Sequence, residues 1–192
     1  MFLLILFACP FGLFLVYDYK EYGQTIINND SLLTLGGSLG AIANGAGRIL
    51  YGLAFDYLSF KVIFTVLNSS LLICCIGCYF ATNGYLYITL VIFTYFSYAA
   101  IYPLMATQTT RFLGEKYGPT IFPYIFLAFS IGNTLQFIAH KIAIDEAGNS
   151  GFKSLLIVFG VIQLMGVILT LTWKIENMPE EQAKLRKRHD NW

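Results

Sequence analysis

The amino-acid sequence predicts an all-α membrane protein with six transmembrane helices. Hydrophobic residues make up 57% of its 192 residues and charged residues only 12%, and the mean hydropathy is +0.65. A soluble domain carries about 25% charged residues, so this chain has too little charge to cover a globular surface. The formal net charge of +1 gives no electrostatic reason to expect a nucleic-acid partner.

Six stretches are long and apolar enough to cross a lipid bilayer, which takes about 20 residues of helix. Turn-forming residues separate them: Asn83-Gly84 lies between the third and fourth, and Gly118-Pro119 opens the fifth with proline at a helix start. We expect one six-helix bundle over residues 1–175 and a basic cytoplasmic tail over 176–192. The predicted spans are 1–17, 31–55, 62–82, 85–110, 119–140 and 152–173.

The distribution of positive charge predicts how the bundle is oriented. Most Lys and Arg residues fall at or near one end of the spans, and the positive-inside rule places that end in the cytoplasm with both termini. The first span opens directly at Met1 without a basic flank, which favours an internal helix preceded by further sequence over a signal peptide. The residues at the other end are Lys20, Lys141 and Lys153.

The second span carries the strongest functional signal, a charged residue inside a glycine-rich helix. Arg48 lies about one turn past the midpoint of the span, within the hydrocarbon, where a charge usually marks a functional site. We expect it to bind an anion or to act in gating, with snorkelling to the headgroups as the alternative. Residues four apart drift by about 40° around a helix, so neighbouring members of a four-residue series are expected on nearly one face. Its members are Gly36, Gly40, Asn44, Arg48, Gly52 and Asp56.

The end of this span resembles a known transporter motif. Gly52, Asp56 and Lys61 match the G-x-x-x-D-x-x-x-x-K/R loop of major facilitator superfamily transporters, in the version joining helices eight and nine, with Ser59 in place of the usual glycine. The helix around Arg48 and the segment 111–118 resemble the C-terminal half of monocarboxylate and oxalate/formate carriers. The resemblance implies half of a major facilitator fold, with the six spans as helices seven to twelve.

The resemblance also implies a function, which is alternating-access transport of a small organic anion without covalent chemistry, cofactor or metal. Arg48 matches the arginine that binds the substrate carboxylate in monocarboxylate carriers, whereas Asn44 replaces their proton-coupling Asp. Oxalate carriers have a Lys in the middle of the helix that matches the fifth span, and this chain has none there. A monocarboxylate is therefore expected rather than a dicarboxylate. The residues expected to form the inner gate are Gly52, Asp56, Lys61 and Arg111.

Polar residues of the fourth and fifth spans extend the predicted site. The fourth span carries tyrosines at helical spacing before Pro103, which indicates either a hydroxyl-bearing cavity wall beside a proline hinge or aromatic packing. The fifth span places its polar residues within an arc of about 120°, and interhelical hydrogen bonds are the alternative there. The third and sixth spans hold few polar residues and are expected to face lipid. The predicted substrate-binding residues are Arg48, Asn44, Tyr95, Tyr98, Asn133, Gln136 and His140.

Two further motifs in the sequence have alternative interpretations. Gly36–Gly40 matches the G-x-S-x-G nucleophile elbow, so Ser38 with His140 could indicate an intramembrane serine protease, although an elbow requires a strand-to-helix turn. Cys74, Cys75 and Cys78 include a C-x-x-C, but we expect them to be packing residues because zinc sites need further ligands. No channel selectivity filter is present.

A further alternative concerns the number of helices. A major facilitator cavity lies between two six-helix halves. This chain would therefore need either an upstream half or a second copy of itself, or it would be a bundle without independent transport.

Overall fold

A computed structural model describes residues 1–147 and 150–173, and these residues form helices and short turns without a β-strand. The predicted all-α class is confirmed for this part of the chain. The predicted tail over 176–192 lies outside the described residues. The helices are α1 (Phe2–Gln24), α2 (Asp30–Tyr57), α3 (Phe60–Phe80), α4 (Gly84–Tyr98), α5 (Ile101–Ala147) and α6 (Gly151–Thr172).

Four helical segments among the described residues are long and apolar enough to cross a membrane: Phe2–Gln24, Phe60–Phe80, Gly84–Asp145 and Gly151–Thr172. They are compatible with a multi-pass integral membrane protein. The helix α2 is as long as a spanning helix but is not among them, because its glycines, Asn44 and Arg48 lower its hydropathy.

The segment Gly84–Asp145 is too long to cross a bilayer once. Its 62 residues would extend about 93 Å as one straight helix, roughly three times the hydrocarbon thickness. A first interruption separates α4, which ends at Tyr98, from α5, which begins at Ile101. Pro103 lies in the first turn of α5, where its missing N–H costs no helical hydrogen bond. The predicted fourth span, 85–110, is therefore divided between α4 and the start of α5.

A second interruption lies inside α5 at Gly114, whose backbone is non-helical with φ of 80° and ψ of 166°. Glycine is favoured here because residues that have a side chain rarely adopt positive φ. Beyond this break, Gly118 packs closely on the part of α5 that precedes Gly114. A Cβ at Gly118 would lie 2.6 Å from the Cα of Thr110. The prediction that Pro119 opens the fifth helix is wrong, because the break lies five residues earlier.

The first helix extends to Gln24, beyond the predicted span, which ends at Tyr17. The prediction stopped there because the next residue, Asp18, is charged and ends the apolar run. The extra turns are held by packing: the Tyr87 hydroxyl of α4 donates a 2.6 Å hydrogen bond to the carbonyl of Tyr19. This extension brings Asp18 into the bundle.

Helix α1 lies at the centre of the bundle, since every residue from Ala8 to Leu15 is buried. The Phe14 ring packs against Phe159 of α6, with ring centroids 5.4 Å apart. On the side facing α4, Gly12 leaves room for the ring of Tyr98, which would overlap a Cβ at that position. The apolar sequence of α1 thus reflects its burial among the other helices.

Helices α3 and α6 bury a polar contact between them. The Asn68 amide donates to the Thr170 hydroxyl at 3.1 Å, and the Gln163 amide donates to Oδ1 of Asn68 at 2.8 Å. All three side chains are at most 1% exposed. The few polar residues of these two helices thus pair with each other inside the bundle, while large apolar side chains such as Ile73 and Ile157 are exposed on their outer sides.

The cysteines of α3 are packing residues, as expected. Cys74, Cys75 and Cys78 are at most 3% exposed and belong to the apolar core. The Cys75 thiol donates to the carbonyl of Leu156 on α6 at 3.3 Å.

Candidate functional site

Helix α2 presents three different faces, which follow from its rotation of about 100° per residue. The first face packs on α4, where Gly40 lies against the ring of Tyr95 and Gly47 against the backbone of Phe96. Asn44 lies at the edge of this face and donates a 3.2 Å hydrogen bond from its amide to the carbonyl of Tyr95. Small residues thus let the two backbones approach closely.

The second face of α2, the apolar face, is composed of large aliphatic side chains. They are between 41% and 70% exposed, and they lie within an arc of about 100°. An exposed aliphatic surface of this kind on a membrane-type bundle suits contact with acyl chains. Its residues are Leu35, Leu39, Ile42, Ile49, Leu50 and Leu53.

The third face of α2, the polar face, is exposed and made of small or polar residues. Their spacing alternates between four and three, which keeps them within an arc of about 80° along the whole helix. A Cβ at Gly45 or Gly52 would meet no atom within 4 Å. Among the described residues, Arg48 has no hydrogen-bond or ion-pair partner, and it is exposed. The residues of the polar face are Thr34, Ser38, Ala41, Gly45, Arg48 and Gly52.

Arg48 lies close to the middle of α2. The helix has 28 residues and is therefore about 42 Å long. Arg48 lies about 7 Å from its midpoint, on the side of Asp56. A hydrocarbon layer of about 30 Å centred on the helix would include it.

The four-residue series from Gly36 to Asp56 extends over more than one face of α2. Four-residue steps drift by about 40°, and five such steps turn the series through about 200°. The buried members Gly36 and Gly40 face α4, whereas Arg48 and Gly52 belong to the polar face.

The two tyrosines predicted to line the cavity lie between α4 and α1. The Tyr95 hydroxyl donates to the carbonyl of Val16 at 3.0 Å. The Tyr98 ring lies on Gly12, and its buried hydroxyl is next to the Cys9 thiol. This placement favours the packing interpretation over a role beside Arg48.

The three predicted residues of the fifth span line one polar cleft of about 510 Å³ between α5 and α1. Asn133 and His140 are partly buried, and Gln136 is 4% exposed. The structure therefore brings these three together, but in a cleft whose lining does not include Arg48. From α1 the cleft is lined by Tyr17 and Asp18.

Asp18 lies at the centre of a hydrogen-bonded and charged group, which we call the α1–α5 cluster: Asp18, Glu21, Gln136 and His140. The Gln136 amide donates to Oδ2 of Asp18 at 2.9 Å. The two ring nitrogens of His140 lie near different carboxylates, Nδ1 at 3.2 Å from Asp18 Oδ2 and Nε2 at 3.8 Å from Glu21 Oε2. The side chains of Asp18 and His140 are 18% and 16% exposed, and that of Glu21 is 55% exposed.

Asp18 and Glu21 were not predicted as site residues, although the sequence carries a signal for them. The two carboxylates are three residues apart, so they lie on one side of a helix that continues past Tyr17. The polar side chains of α5 require polar partners inside the bundle, and the two carboxylates at the end of α1 are such partners. The sequence does not reveal that α1 and α5 are neighbours.

At the opposite end of α2, Asp56 pairs with Arg111 of α5. The guanidinium lies 3.4 Å from Oδ1 of Asp56, donates to the Phe55 carbonyl at 3.2 Å, and stacks 4.1 Å above the Phe55 ring. Two of the predicted gate residues are thus in contact, and they connect the end of α2 to the part of α5 that precedes Gly114.

Lys61, the other charged residue predicted for the gate, lies at a different contact. Its ammonium donates to the carbonyl of Leu171 at 2.7 Å and to that of Trp173 at 3.1 Å. Cations stabilise the C-terminal ends of helices, where carbonyl groups lack partners. Lys61 therefore fixes the start of α3 to the end of α6 and does not pair with Asp56.

The G-x-S-x-G sequence lies within the continuous helix α2, without a strand or a sharp turn. The Ser38 hydroxyl donates to the carbonyl of Thr34, one turn earlier, at 3.0 Å. His140 has Asp18 and Glu21 as its charged neighbours. This arrangement differs from a nucleophile elbow, which exposes a serine at a strand-to-helix turn.

No protein-family model, curated protein or solved structure matches this chain.

Proposed function

We propose that this chain is a six-helix half of a major facilitator carrier and takes part in alternating-access transport of a small organic anion, namely a monocarboxylate. In this proposal α2 lines the transport cavity. The parts of Gly84–Asp145 before and after Gly114 are two separate transmembrane spans. Together with α1, α2, α3 and α6, these two parts make six spans.

The observation that carries the proposal is the polar face of α2. A membrane helix that is exposed on two sides can face lipid with its aliphatic side, but a face with serine, glycines and Arg48 would be costly there. Such a face is stabilised by water in a cavity or by a second half of the transporter. The low hydropathy of α2 has the same explanation.

Arg48 is the residue that would hold the substrate. A guanidinium binds a carboxylate through two parallel charge-assisted hydrogen bonds, and Gly45 and Gly52 on either side leave space for a small anion. Because Arg48 has no partner among the described residues, its donors are available for a ligand.

The pair Asp56–Arg111 would act at the inner gate. It joins α2 to the part of α5 that precedes Gly114. A rocking motion would move these two elements relative to each other. Both side chains are about half exposed, so the pair can break and form again at low cost.

The polar face also requires a second half. In a major facilitator transporter the cavity lies between two six-helix halves, and α2 would face the other half across it. Upstream sequence or a second copy of this chain would supply that half, and the proposal applies to either assembly.

The test is uptake of labelled short-chain monocarboxylates into proteoliposomes that contain the purified full chain, compared with Arg48→Ala. Loss of a charge-assisted pair of about 2–3 kcal/mol corresponds to a fall in uptake on the order of 100-fold. Arg48→Lys keeps the charge without the planar fork and should retain only part of the activity.

The matched control is Ile49→Ala, one residue further along and on the apolar face, which should leave uptake within about twofold of the wild type. Equal uptake by the wild type and Arg48→Ala would contradict the substrate role. A wild-type chain that is inactive both alone and as a dimer would contradict transport by this chain.

A further inference from the structure

We propose that Asp18, Glu21 and His140 form a binding site for one divalent transition-metal ion of the Zn²⁺ type, at the end of the bundle opposite Asp56. One ligand atom from each residue lies within 4.8 Å of the other two. The site would join the last turns of α1 to α5. It does not depend on the proposed transport function.

The distance between the first two ligands fits a tetrahedral metal. Metal bonds to imidazole nitrogen and carboxylate oxygen are about 2.0–2.2 Å long, so neighbouring ligand atoms in a tetrahedron are about 3.3–3.5 Å apart. Nδ1 of His140 and Oδ2 of Asp18 are 3.2 Å apart. Glu21 is half exposed and free to change its rotamer, so its carboxylate can move to the third position.

The hydrogen bonding around the cluster also points to a ligand. Nδ1 of His140 is buried and makes no hydrogen bond to a described residue, although it lies 3.2 Å from Oδ2 of Asp18. A buried nitrogen without a hydrogen bond is uncommon, and a metal ion between it and the carboxylate would satisfy both.

The environment of Asp18 resembles that of a metal-ligating carboxylate. Gln136, which is 4% exposed, donates to it at 2.9 Å and fixes its orientation, as residues around metal ligands commonly do. The cleft of about 510 Å³ borders Asp18 and His140, which leaves a fourth coordination position for water or a small ligand.

The ligand types select the class of metal. One imidazole and two carboxylates suit Zn²⁺, Co²⁺ or Mn²⁺ better than Ca²⁺, which prefers six or more oxygen ligands. With a neutral imidazole, the three side chains carry a formal charge of −2 that a divalent cation would neutralise.

The experiment is a calorimetric titration of the purified full chain in detergent with Zn²⁺, repeated with Co²⁺ for its absorption spectrum. We expect one ion per chain in the wild type and no measurable binding in His140→Ala. The matched control is His189→Ala, which removes the other histidine of the chain and should leave binding unchanged. Gln136→Leu should weaken binding by about 10- to 100-fold.

Glu21→Gln is not expected to impair folding, because this side chain is half exposed. It should weaken binding at least about tenfold, and unchanged affinity would overturn the proposed ligand set. The absence of stoichiometric binding at millimolar Zn²⁺ would overturn the site. A Co²⁺ spectrum with a thiolate charge-transfer band would also overturn it, since the metal would then lie at the cysteines of α3.

Discussion

Two helices of this bundle, α3 and α2, carry polar residues in the middle of long helices but place them differently. In α3, Asn68 is completely buried and bonded to Gln163 and Thr170 of α6. In α2, Arg48 and its small neighbours are exposed and have no hydrogen-bonded partner of this kind.

The difference separates polar residues that hold the bundle together from those that require something outside it. A polar side chain in hydrocarbon is stabilised either by a partner in the protein or by water in a cavity. Asn68 has the first, and its role is structural. Arg48 has no such partner in the described residues, which is why α2 and not α3 is the proposed functional helix.

The largest expected effect on stability comes from two glycines of α2 that are only two residues apart. A Cβ at Gly47 would overlap the carbonyl oxygen of Phe96, whereas a Cβ at Gly45 would meet nothing within 4 Å. Gly47→Ala should lower the free energy of unfolding by about 1–3 kcal/mol. Gly45→Ala should raise it by up to about 1 kcal/mol, because alanine favours helix.

Thermal unfolding in detergent, followed by circular dichroism, measures both variants. The two substitutions add the same methyl group to the same helix, so their opposite signs isolate the packing of α2 on α4. Equal changes in stability would contradict the three-face description of α2.

A smaller effect is expected in the α3–α6 contact. Asn68→Leu leaves the buried amide of Gln163 without its main acceptor and should lower the free energy of unfolding by about 1–2 kcal/mol. The same unfolding measurement applies.

The double variant Asn68→Leu with Gln163→Leu serves as the control. Replacing both partners by apolar side chains should recover most of the lost stability, because no buried polar group of the pair is then left. If the losses of the two single variants simply add in the double variant, the proposed coupling between Asn68 and Gln163 is absent.

The smallest effect is expected for the exposed pair Asp56–Arg111. Asp56→Asn removes the charge with little change in shape, and it should lower the free energy of unfolding by no more than about 1 kcal/mol. Raising the salt concentration should reduce the difference between Asp56→Asn and the wild type. A loss above about 2 kcal/mol would mean that the pair stabilises the fold and does not act as a reversible gate.

The positions of the helices could be predicted from the sequence because apolar runs and turn residues are local signals. The errors arose where tertiary packing overrides such signals. Asp18 ended the apolar run, yet hydrogen bonds from α4 and α5 keep this region helical and inside the bundle. Similarly, Pro119 is a common helix start, but the chain breaks at Gly114, where positive φ is adopted.

The candidate site could be predicted only in part. Arg48 and the polar arc of α5 are visible as charged or polar residues within apolar sequence. Their grouping is not visible, because it depends on which helices are neighbours. The four-residue glycine series was divided between two faces because a helix turns once in 3.6 residues and not in four.

The most direct test of the central claim is thiol accessibility on α2 in native membranes, comparing Gly45→Cys on the polar face with Ile42→Cys on the apolar face. Both positions are exposed on the bundle, and the four native cysteines are buried, so a background signal is small. We predict that a charged, water-soluble thiol reagent labels Gly45→Cys at least about tenfold faster than Ile42→Cys, because only the polar face meets water. Equal labelling of the two variants, or faster labelling of Ile42→Cys, would contradict a cavity on the Arg48 side of α2.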